Sequence, residues 1–448
     1  MEKGQVASLC YQLQGDGKKE KRFRKNRTNI FMRLILQNIR ELVQVDAKSR
    51  LWVAGKSMAE VQTIKNAFLI VQDERIENYG PMEELQASEF EADNIIMEID
   101  CAGKMVFPSY CDSHTHLVFA ATREQEFVDR IKGLTYEEIA GNGGGILNSA
   151  RLLQDMSEED LYTQAVERLE EIMWLGTGAV EIKSGYGLTT DAELKMLRVI
   201  RRLKQNSPLM IKSTFLAHAF PMEYRSRRED YMDLLINDML PQIASEELAD
   251  YVDVFCDRGF FTVEETERIL MAGMKAGMKG KVHANELANS GGVQVGVKYN
   301  ALSVDHLEYV EDKEIAALIG SETMPTVLPG AAFFLNLKLA PVRKMIDAGL
   351  PVAMASDYNP GTSPSGNMNF IQSLGCLKYG MTPEETIHAT TINSAYAMGI
   401  SKSYGSIARG KVANLFITKE ISNYAVIPYS YGSSLIETVI LNGEIQGL

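Results

Sequence analysis

The chain has 448 residues, of which 45% are hydrophobic and 23% charged, so it has enough apolar material for one large core or two modest ones. Its length fits three domains of about 150 residues, or one βα barrel of about 250 residues with a smaller companion. The 46 Lys and Arg against 59 Asp and Glu give a formal net charge of −13, which argues against a protein that coats nucleic-acid phosphates.

The first 31 residues differ from the rest of the chain. They have almost no apolar periodicity, and they crowd together the basic residues Lys18, Lys19, Lys21, Arg22, Arg24, Lys25 and Arg27. The first strand-like run opens only at Met32. We predict that residues 1–31 form a disordered basic extension, the alternative being an arm that binds nucleic acid or a membrane.

Short apolar runs separated by polar turns fill residues 32–104 and indicate strands rather than helices. Residues 404–448 have the same character. Turn glycines precede a strand-like run at 412–417, and a further run at 438–441 ends at the turn Asn442-Gly443. We predict that these two segments combine into one small β-sandwich domain built from both chain ends.

Residues 105–403 alternate short β-branched runs with longer amphipathic, helix-like stretches. The candidate strands end near Cys111, Lys183, Ala217, Cys256, His283, Asp305, Leu328 and Ser356. Eight strands with helical connections predict an α/β fold, a (β/α)8 TIM-like barrel. In such a barrel the chemistry lies in the loops that directly follow the strands.

The cysteines and the hydropathy pattern bear on location. Five cysteines are scattered along the chain without a CxxC pair, which is typical of free thiols in a reducing compartment. No apolar stretch approaches the ~18 residues of a membrane span, and the N-terminus lacks the apolar core of a signal peptide. We predict a soluble, cytoplasmic protein with no nucleic-acid or membrane partner.

Histidines are concentrated at the predicted strand ends. Those at such positions are His114, His116, His218, His283 and His306, whereas His388 falls within a helix-like stretch. A structural role is the ordinary interpretation of any single one of them. Five at strand ends together indicate a functional site.

A metal centre is the chemistry that these positions favour. His114 and His116 form an H-x-H at the exit of the first barrel strand, and side chains at i and i+2 of a strand point the same way. His283 ends another strand, and Asp357 follows the last one. Three imidazoles and one carboxylate suit zinc or ferrous iron with room for a water, whose pKa the metal would lower toward ~7 to give a hydroxide nucleophile.

Such a hydrolase must also move a proton from water to a leaving nitrogen. Glu286, three residues after His283, is the first candidate for this shuttle, although it could instead cap the following helix. His306 could polarise the scissile carbonyl or share the base role, and a purely structural histidine is the alternative.

Several strings of the sequence match a known family: Asp112-Ser113-His114-Thr115-His116-Leu117-Val118-Phe119-Ala120, Arg123 with Glu126-Phe127, Gly133-Leu134-Thr135-Tyr136-Glu137-Glu138-Ile139, Gly143-Gly144-Gly145-Ile146, Glu181-Ile182-Lys183-Ser184-Gly185-Tyr186-Gly187-Leu188, Ala217-His218-Ala219, Asp305-His306-Leu307 and Asp357-Tyr358-Asn359-Pro360-Gly361-Thr362. With these, the chain from about Met32 to its C-terminus resembles the imidazolonepropionase family of the amidohydrolase superfamily. Members of this family open the imidazolone ring in histidine degradation.

The resemblance implies one Zn²⁺, or Fe²⁺ or Fe³⁺, per subunit, and a possible homodimer. Metal ligands would be His114, His116, His283 and Asp357, with proton transfer shared among Glu286, His306 and Asp357. Contacts to the substrate or product would come from Arg123, Tyr136, Tyr186, His218, Glu286, Asn359, Gly361 and Thr362. Arg123 can clamp a carboxylate arm with two parallel hydrogen bonds.

Lysine positions favour one metal over two. Some binuclear relatives bridge their metals with a modified lysine at the end of the fourth strand, where this chain has Cys256 and Asp257. Lys183 follows the second strand instead, and we interpret it as a structural or supporting cation.

The function that these expectations favour is metal-dependent hydrolysis of the cyclic amide bond of 4-imidazolone-5-propanoate to N-formimidoyl-L-glutamate. One alternative is a related cyclic-amide hydrolase, or a nucleobase amidohydrolase or deaminase. Arg123 argues against a neutral nucleobase, which offers a guanidinium little to hold. The other alternative is a non-catalytic metal-binding protein of the same fold.

Overall fold

The computed structural model describes residues 32–46, 48, 50–90, 95–134, 138 and 144–447. The basic extension at 1–31 and Tyr136 therefore lie outside the described residues. Among the described residues, no helix combines the length and the apolar character needed to cross a membrane.

The strands are, in chain order, β1 (Met32–Val43), β2 (Thr63–Gln72), β3 (Arg75–Pro81), β4 (Ile95–Asp100), β5 (Lys104–Pro108), β6 (Tyr110–Thr115), β7 (Thr177–Lys183), β8 (Met210–Ala217), β9 (Tyr251–Cys256), β10 (Lys279–Ala284), β11 (Ser303–His306), β12 (Met324–Val327), β13 (Ala353–Met354), β14 (Leu415–Glu420), β15 (Ile436–Leu441) and β16 (Glu444–Ile445).

The α-helices are α1 (Glu124–Ile131), α2 (Ile146–Asp155), α3 (Glu158–Trp174), α4 (Thr190–Asn206), α5 (Arg228–Asp233), α6 (Leu240–Ser245), α7 (Val263–Lys275), α8 (Gly292–Lys298), α9 (Asp312–Leu318), α10 (Pro329–Leu335), α11 (Val342–Asp347), α12 (Met368–Tyr379), α13 (Pro383–Thr390), α14 (Ile392–Ala397) and α15 (Val426–Tyr429). A π-helical segment, Leu234–Met239, joins α5 to α6, and short 3-10 helices span Gly55–Ala59, Met82–Glu84, Ala87–Phe90 and Met222–Tyr224.

Strands β6 to β13 form a parallel sheet in sequence order, each paired with the next. Strands β6, β7 and β9 are buried along their whole length, as expected where helices cover one face and the barrel interior the other. A parallel bridge between Thr115 and Tyr358 links the first strand to the segment after the last. The expected (β/α)8 barrel is confirmed.

The smaller unit is a mixed sheet to which both chain ends contribute, in the order β16-β15-β14-β5-β1-β2-β3, with β4 beside β1. A bulge in β1, where Asn38 has φ of 54°, separates a half that pairs with β4 from a half that pairs with β5. The companion β domain drawn from both ends is confirmed. The boundaries 32–104 with 404–448 and 105–403 stay a proposal, since β5 crosses the first of them.

Local sequence signals explain where several barrel helices begin. At α7, Thr262 accepts the N–H of Glu265 while the Glu265 carboxylate accepts the N–H of Thr262, which is a capping box. Helix α13 has the same arrangement from Thr382 and Glu385, with Pro383 in its first turn. These caps pair backbone N–H groups that would otherwise be unsatisfied and so define the residue at which each helix begins.

Two buried polar side chains join the barrel to the smaller unit. The Asn393 side chain accepts from Val53 N–H at 2.8 Å and donates to the carbonyl oxygens of Val53 and Val352, both at 2.9 Å. The ring of His388 lies 3.1 Å from the Gln44 amide and 3.1 Å from the Glu60 carbonyl oxygen. His388, the histidine without a strand-end position, therefore contacts the segment between β1 and β2 and not the barrel mouth.

Asn393→Ala should destabilise the fold by at least about 2 kcal/mol, because it leaves three buried backbone groups without their partner. Urea unfolding followed by circular dichroism would show a lower midpoint. The matched control is Asn206→Ala at the exposed end of α4, where a change within ~0.5 kcal/mol is expected. Equal midpoints for the two variants would contradict the structural role of Asn393.

Candidate metal centre and active site

The barrel topology brings the strand-end histidines to one mouth. His114 lies in β6 and His116 directly follows it. His218 follows β8, His283 lies in β10, and His306 is the last residue of β11. Each of these side chains is at least nine-tenths buried. The carboxyl ends of parallel barrel strands share one rim, so residues up to 192 positions apart become neighbours.

The four predicted metal ligands lie close together at the barrel mouth. Asp357 Oδ1 lies 3.5 Å from Nε2 of His114 and 3.5 Å from Nε2 of His116. The ring centroids of His114 and His283 are 4.5 Å apart, and those of His116 and His283 are 5.7 Å apart. His114, His116 and Asp357 form one group that could hold a metal, and His114, His283 and His306 form an overlapping one.

The residues present fit a metal ion. The Nε2 atoms of His114 and His283 and Oδ1 of Asp357 are buried without a hydrogen-bond partner among the described residues. Buried polar atoms are otherwise almost always paired, so three unpaired ones on neighbouring side chains are consistent with a bound ligand. Burial lowers the pKa of His114 and of His116 well below the ordinary range, which leaves them as neutral imidazoles able to donate a lone pair.

Buried carboxylates lie beside Nδ1 of two of these imidazoles. Nδ1 of His114 is hydrogen-bonded to Asp305 Oδ2 at 2.7 Å, and Nδ1 of His283 lies 3.1 Å from Asp253 Oδ2. A carboxylate at Nδ1 keeps the proton on that nitrogen and turns the lone pair of Nε2 toward the metal position. Sequence reasoning assigned no role to Asp253 or Asp305.

Glu286 and His306 lie side by side at the rim, with Oε2 of Glu286 3.5 Å from Nε2 of His306. Burial, with Asp357 and Asp257 nearby, raises the pKa of Glu286 to about 8. A carboxyl group with a pKa near neutrality can both accept and release a proton during a reaction. His306 itself has φ of 86°, an uncommon backbone conformation for a residue other than glycine.

Arg123 supplies a cation at the same mouth. Its Nε donates to Ser149 Oγ at 2.8 Å, and its guanidinium lies 5.7 Å from the centre of the Tyr186 ring. Its Nη2 is buried and has no partner among the described residues. Ser149 fixes the direction of the guanidinium, which leaves a charged donor free for an anionic group.

Tyr186 and His218 form an aromatic wall beside the histidines. Their ring centroids are 5.5 Å apart, and His218 stacks on His116 at 5.6 Å. Nδ1 of His218 is hydrogen-bonded to the Gly185 carbonyl oxygen at 3.2 Å. Burial, then His283, lowers the pKa of His218 to about 3, so this ring is neutral at physiological pH.

A buried carboxylate holds the loop that carries Tyr186. Glu193, in the first turn of α4, accepts the backbone N–H groups of Gly185, Gly187 and Leu188 at 2.7 to 2.9 Å. The loop that follows β7 is therefore anchored on both sides of Tyr186. Neither Glu193 nor Ser149 was expected, since only their contacts distinguish them from ordinary helix residues.

The loop after β13 is shaped by Asn359. Its Oδ1 accepts the N–H groups of Gly361 and Thr362, both at 2.8 Å, and its Nδ2 donates to the Asp357 carbonyl oxygen and to Thr362 Oγ1, both at 2.6 Å. A Cβ at position 361 would lie 2.4 Å from Nη1 of Arg123. Glycine at 361 therefore makes room for the guanidinium, and the predicted contact residues of this loop adjoin the same mouth.

The chain matches the amidohydrolase family over residues 105–445. It is 57% identical over 412 residues to the imidazolonepropionase of Flavobacterium johnsoniae, an alignment that covers 92% of this chain and 99% of that protein. Identity to the imidazolonepropionase of Christiangramia forsetii is 53% over 415 residues, with 92% and 100% covered. The imidazolonepropionase of Geobacillus kaustophilus is 39% identical, with 92% and 97% covered.

Solved structures with a similar fold are more distant in sequence. An adenosine deaminase from Xanthomonas campestris with bound zinc superposes with a TM-score of 0.67 at 14% identity, covering 92% of each chain. A putative prolidase from Bifidobacterium longum gives a TM-score of 0.66 at 15% identity, covering 94% of this chain and 95% of that one. At these identities the likeness supports the fold alone.

His283→Ala should lose the bound metal, because it removes one neutral imidazole donor from the proposed set. Protein stripped with a chelator would be titrated with Zn²⁺ in a calorimeter, with one equivalent bound expected for the unaltered chain. The control is His218→Ala, a histidine of the same mouth outside both donor groups, which should still bind one equivalent. Normal zinc binding by His283→Ala would contradict the ligand set.

Proposed function

Because the chain belongs to the amidohydrolase family and, within it, to the imidazolonepropionases, we propose that it hydrolyses the cyclic amide C–N bond of 4-imidazolone-5-propanoate to N-formimidoyl-L-glutamate in histidine degradation. The observation that carries this proposal is one mouth with two complementary parts. A donor set suited to a Lewis-acid metal lies beside Arg123, whose buried Nη2 lacks a partner among the described residues. The first part serves amide hydrolysis, and the second serves a substrate with a carboxylate arm.

The metal site has four proposed ligands: His114, His116, His283 and Asp357. These residues would hold a divalent metal, which would supply a Lewis acid able to lower the pKa of a bound water toward about 7. Three imidazoles and one carboxylate suit zinc or iron rather than magnesium or calcium, which prefer oxygen ligands throughout. We propose one such ion per subunit.

Substrate binding is assigned to the cation and the aromatic wall. Arg123 would hold the propionate arm by charge-assisted hydrogen bonds, and its bond to Ser149 supports a fixed approach direction. Tyr186 and His218 would flank the imidazolone ring. Asn359, Gly361 and Thr362 are proposed contacts of the product, and Tyr136, outside the described residues, is a further proposed contact.

Glu286 is the proposed proton carrier. It takes a proton from the attacking water as the oxygen bonds to the ring carbonyl carbon, and it delivers that proton to the ring nitrogen as the C–N bond breaks. Its raised pKa and its place 3.5 Å from His306 support this role. His306 would donate a hydrogen bond to the oxygen that becomes negative, and Asp357, as a proposed metal ligand, would help to orient the attacking water.

Two further proposals concern the cellular compartment and the oligomeric state of the protein. Free Cys101, Cys111, Cys256 and Cys376 support a reducing compartment such as the cytoplasm. A homodimer stays a prediction.

Glu286→Gln should lower kcat by roughly 10²- to 10⁴-fold, because the amide keeps the shape of the side chain but cannot carry a proton. The measurement is the loss of ultraviolet absorbance of imidazolonepropionate in the presence of added zinc. Zinc content should be unchanged, and Glu264→Gln on the exposed side of α7 should keep the normal rate. A near-normal rate for Glu286→Gln would exclude it as the proton carrier.

Arg123→Met should raise KM for imidazolonepropionate roughly tenfold to hundredfold. This change corresponds to the loss of about 1.5–3 kcal/mol, which a hydrogen bond to a charged group contributes. An imidazolone without the propionate arm provides the control, since the unaltered chain and the variant should hydrolyse it with similar kcat/KM. If Arg123→Met weakens both substrates equally, the guanidinium does not recognise the carboxylate. Turnover of a neutral nucleobase but not of imidazolonepropionate would favour the alternative substrate class.

A further inference from the structure

A cluster of charged side chains fills the barrel interior beneath the metal position. Its members come from strands β7, β9, β10 and β11 and each is fully buried: Glu181, Lys183, Asp253, Lys281 and Asp305. Fully buried lysines are rare unless they are paired. Here three carboxylates surround two ammonium groups, so the cluster is closely paired and retains one excess negative charge when all five are ionised.

Lys183 lies between Asp253 and Asp305, the two carboxylates that adjoin the metal-site histidines. Its Nζ donates to Asp253 Oδ2 at 2.7 Å and to Glu181 Oε1 at 2.6 Å, and it lies 3.8 Å from Asp305 Oδ2. Burial would lower the pKa of Lys183, but Asp253, Glu181 and Asp305 together raise it above its usual value. The ammonium group therefore stays charged in the core.

The carboxylate oxygens that lie near Lys183 also contact the imidazoles of the metal site. Asp253 Oδ2 lies 3.1 Å from Nδ1 of His283, and Asp305 Oδ2 is 2.7 Å from Nδ1 of His114. Asp253 is fixed further because its Oδ1 accepts the N–H of His283 at 3.2 Å. Lys183 is thus hydrogen-bonded to the carboxylate that contacts His283, whereas Asp305 lies 3.8 Å from Lys183 and 3.9 Å from Lys281, beyond hydrogen-bond distance of either.

We propose that Lys183 is a positioning residue of the metal centre: it holds Asp253 so that His283 presents Nε2 to a divalent metal. This inference rests on the proposed metal site, and it means that the geometry of that site depends on the charged cluster beneath it. Without Lys183, Asp253 would lose its cationic hydrogen-bond partner, and His283 would lose a fixed carboxylate beside its Nδ1. Changes to partners of metal-binding histidines typically cost about 10- to 100-fold in metal affinity.

Lys281 provides a matched comparison within the same cluster. It is equally buried, it is paired with Glu181, and it donates to the Ser113 carbonyl oxygen at 3.0 Å. It lies 3.9 Å from Asp305 Oδ2, whereas Lys183 also donates directly to Asp253. Removing either lysine uncovers buried negative charge, but only Lys183 bonds a carboxylate that contacts His283.

The test compares Lys183→Met with Lys281→Met, using Co²⁺ as the probe. Each chelator-stripped protein is titrated with Co²⁺ against a chromophoric chelator, and the visible absorption of bound Co²⁺ reports its coordination geometry. Lys183→Met should bind Co²⁺ about 10- to 100-fold more weakly and with an altered spectrum. Lys281→Met should lose thermal stability but keep the spectrum and an affinity close to that of the unaltered chain.

Because Lys183→Met could fail to fold, the test also includes Asp253→Asn and the double variant Lys183→Met/Asp253→Asn. Together the variants form a double-mutant cycle. The double variant removes a buried ammonium and its carboxylate together, so it should melt at a higher temperature than Lys183→Met. Its Co²⁺ affinity should match that of Asp253→Asn, because both changes break the same chain to His283. If Lys183 only stabilised the fold, the folded fraction of Lys183→Met would instead bind Co²⁺ as tightly as the unaltered chain.

Unchanged Co²⁺ affinity and spectrum in folded Lys183→Met, or in Asp253→Asn, would overturn the inference. An equal loss of affinity in Lys281→Met would also overturn it, because the effect would then come from buried charge in general. Failure of the proposed function has a different signature. In that case the unaltered chain would bind Co²⁺ normally, yet leave imidazolonepropionate intact.

Discussion

The site depends on closure of the barrel between its first strand and the segment that follows its last. The His116 N–H donates to the Tyr358 carbonyl oxygen at 2.9 Å, and the Asp357 N–H donates to the His114 carbonyl oxygen at 3.0 Å. These bonds place the Asp357 carboxylate directly against the two imidazoles of the H-x-H pair. Residues 242 and 243 positions apart become neighbours because closing the barrel brings its first strand beside the segment after its last.

Electrostatics divides the barrel mouth into a metal part and a substrate part. Neutral imidazoles and a buried carboxylate suit a cation, and the paired charges below them, centred on Lys183, are sealed from water. Arg123 stands apart from this cluster, with Ser149 rather than a carboxylate at hydrogen-bond distance from its Nε. The proposed carboxylate of the substrate would therefore meet the local cation Arg123 and not the negative net charge of the chain.

Much of the architecture could be read from the sequence. Alternating strand and helix patterns predicted the barrel, and the apolar runs at both chain ends predicted the companion sheet, since periodicity is a local property of the chain. The histidines stood out because barrel chemistry collects at strand ends. Asp253, Asp305 and Glu193 did not stand out, because an acidic residue in a buried strand or a first helical turn looks the same whether it supports a site or only pairs with a neighbour.

The sequence by itself determined which residue types stand at the strand ends, and hence the kind of metal site and the fold that carries it. Only the tertiary structure decided which carboxylate contacts which imidazole and which lysine pairs with these carboxylates. The reason is physical: the direction and partner of a buried charge depend on strand register and barrel closure. Lys183 and Asp253 meet only because β7 and β9 face the same interior, a relation that spacing along the chain cannot express.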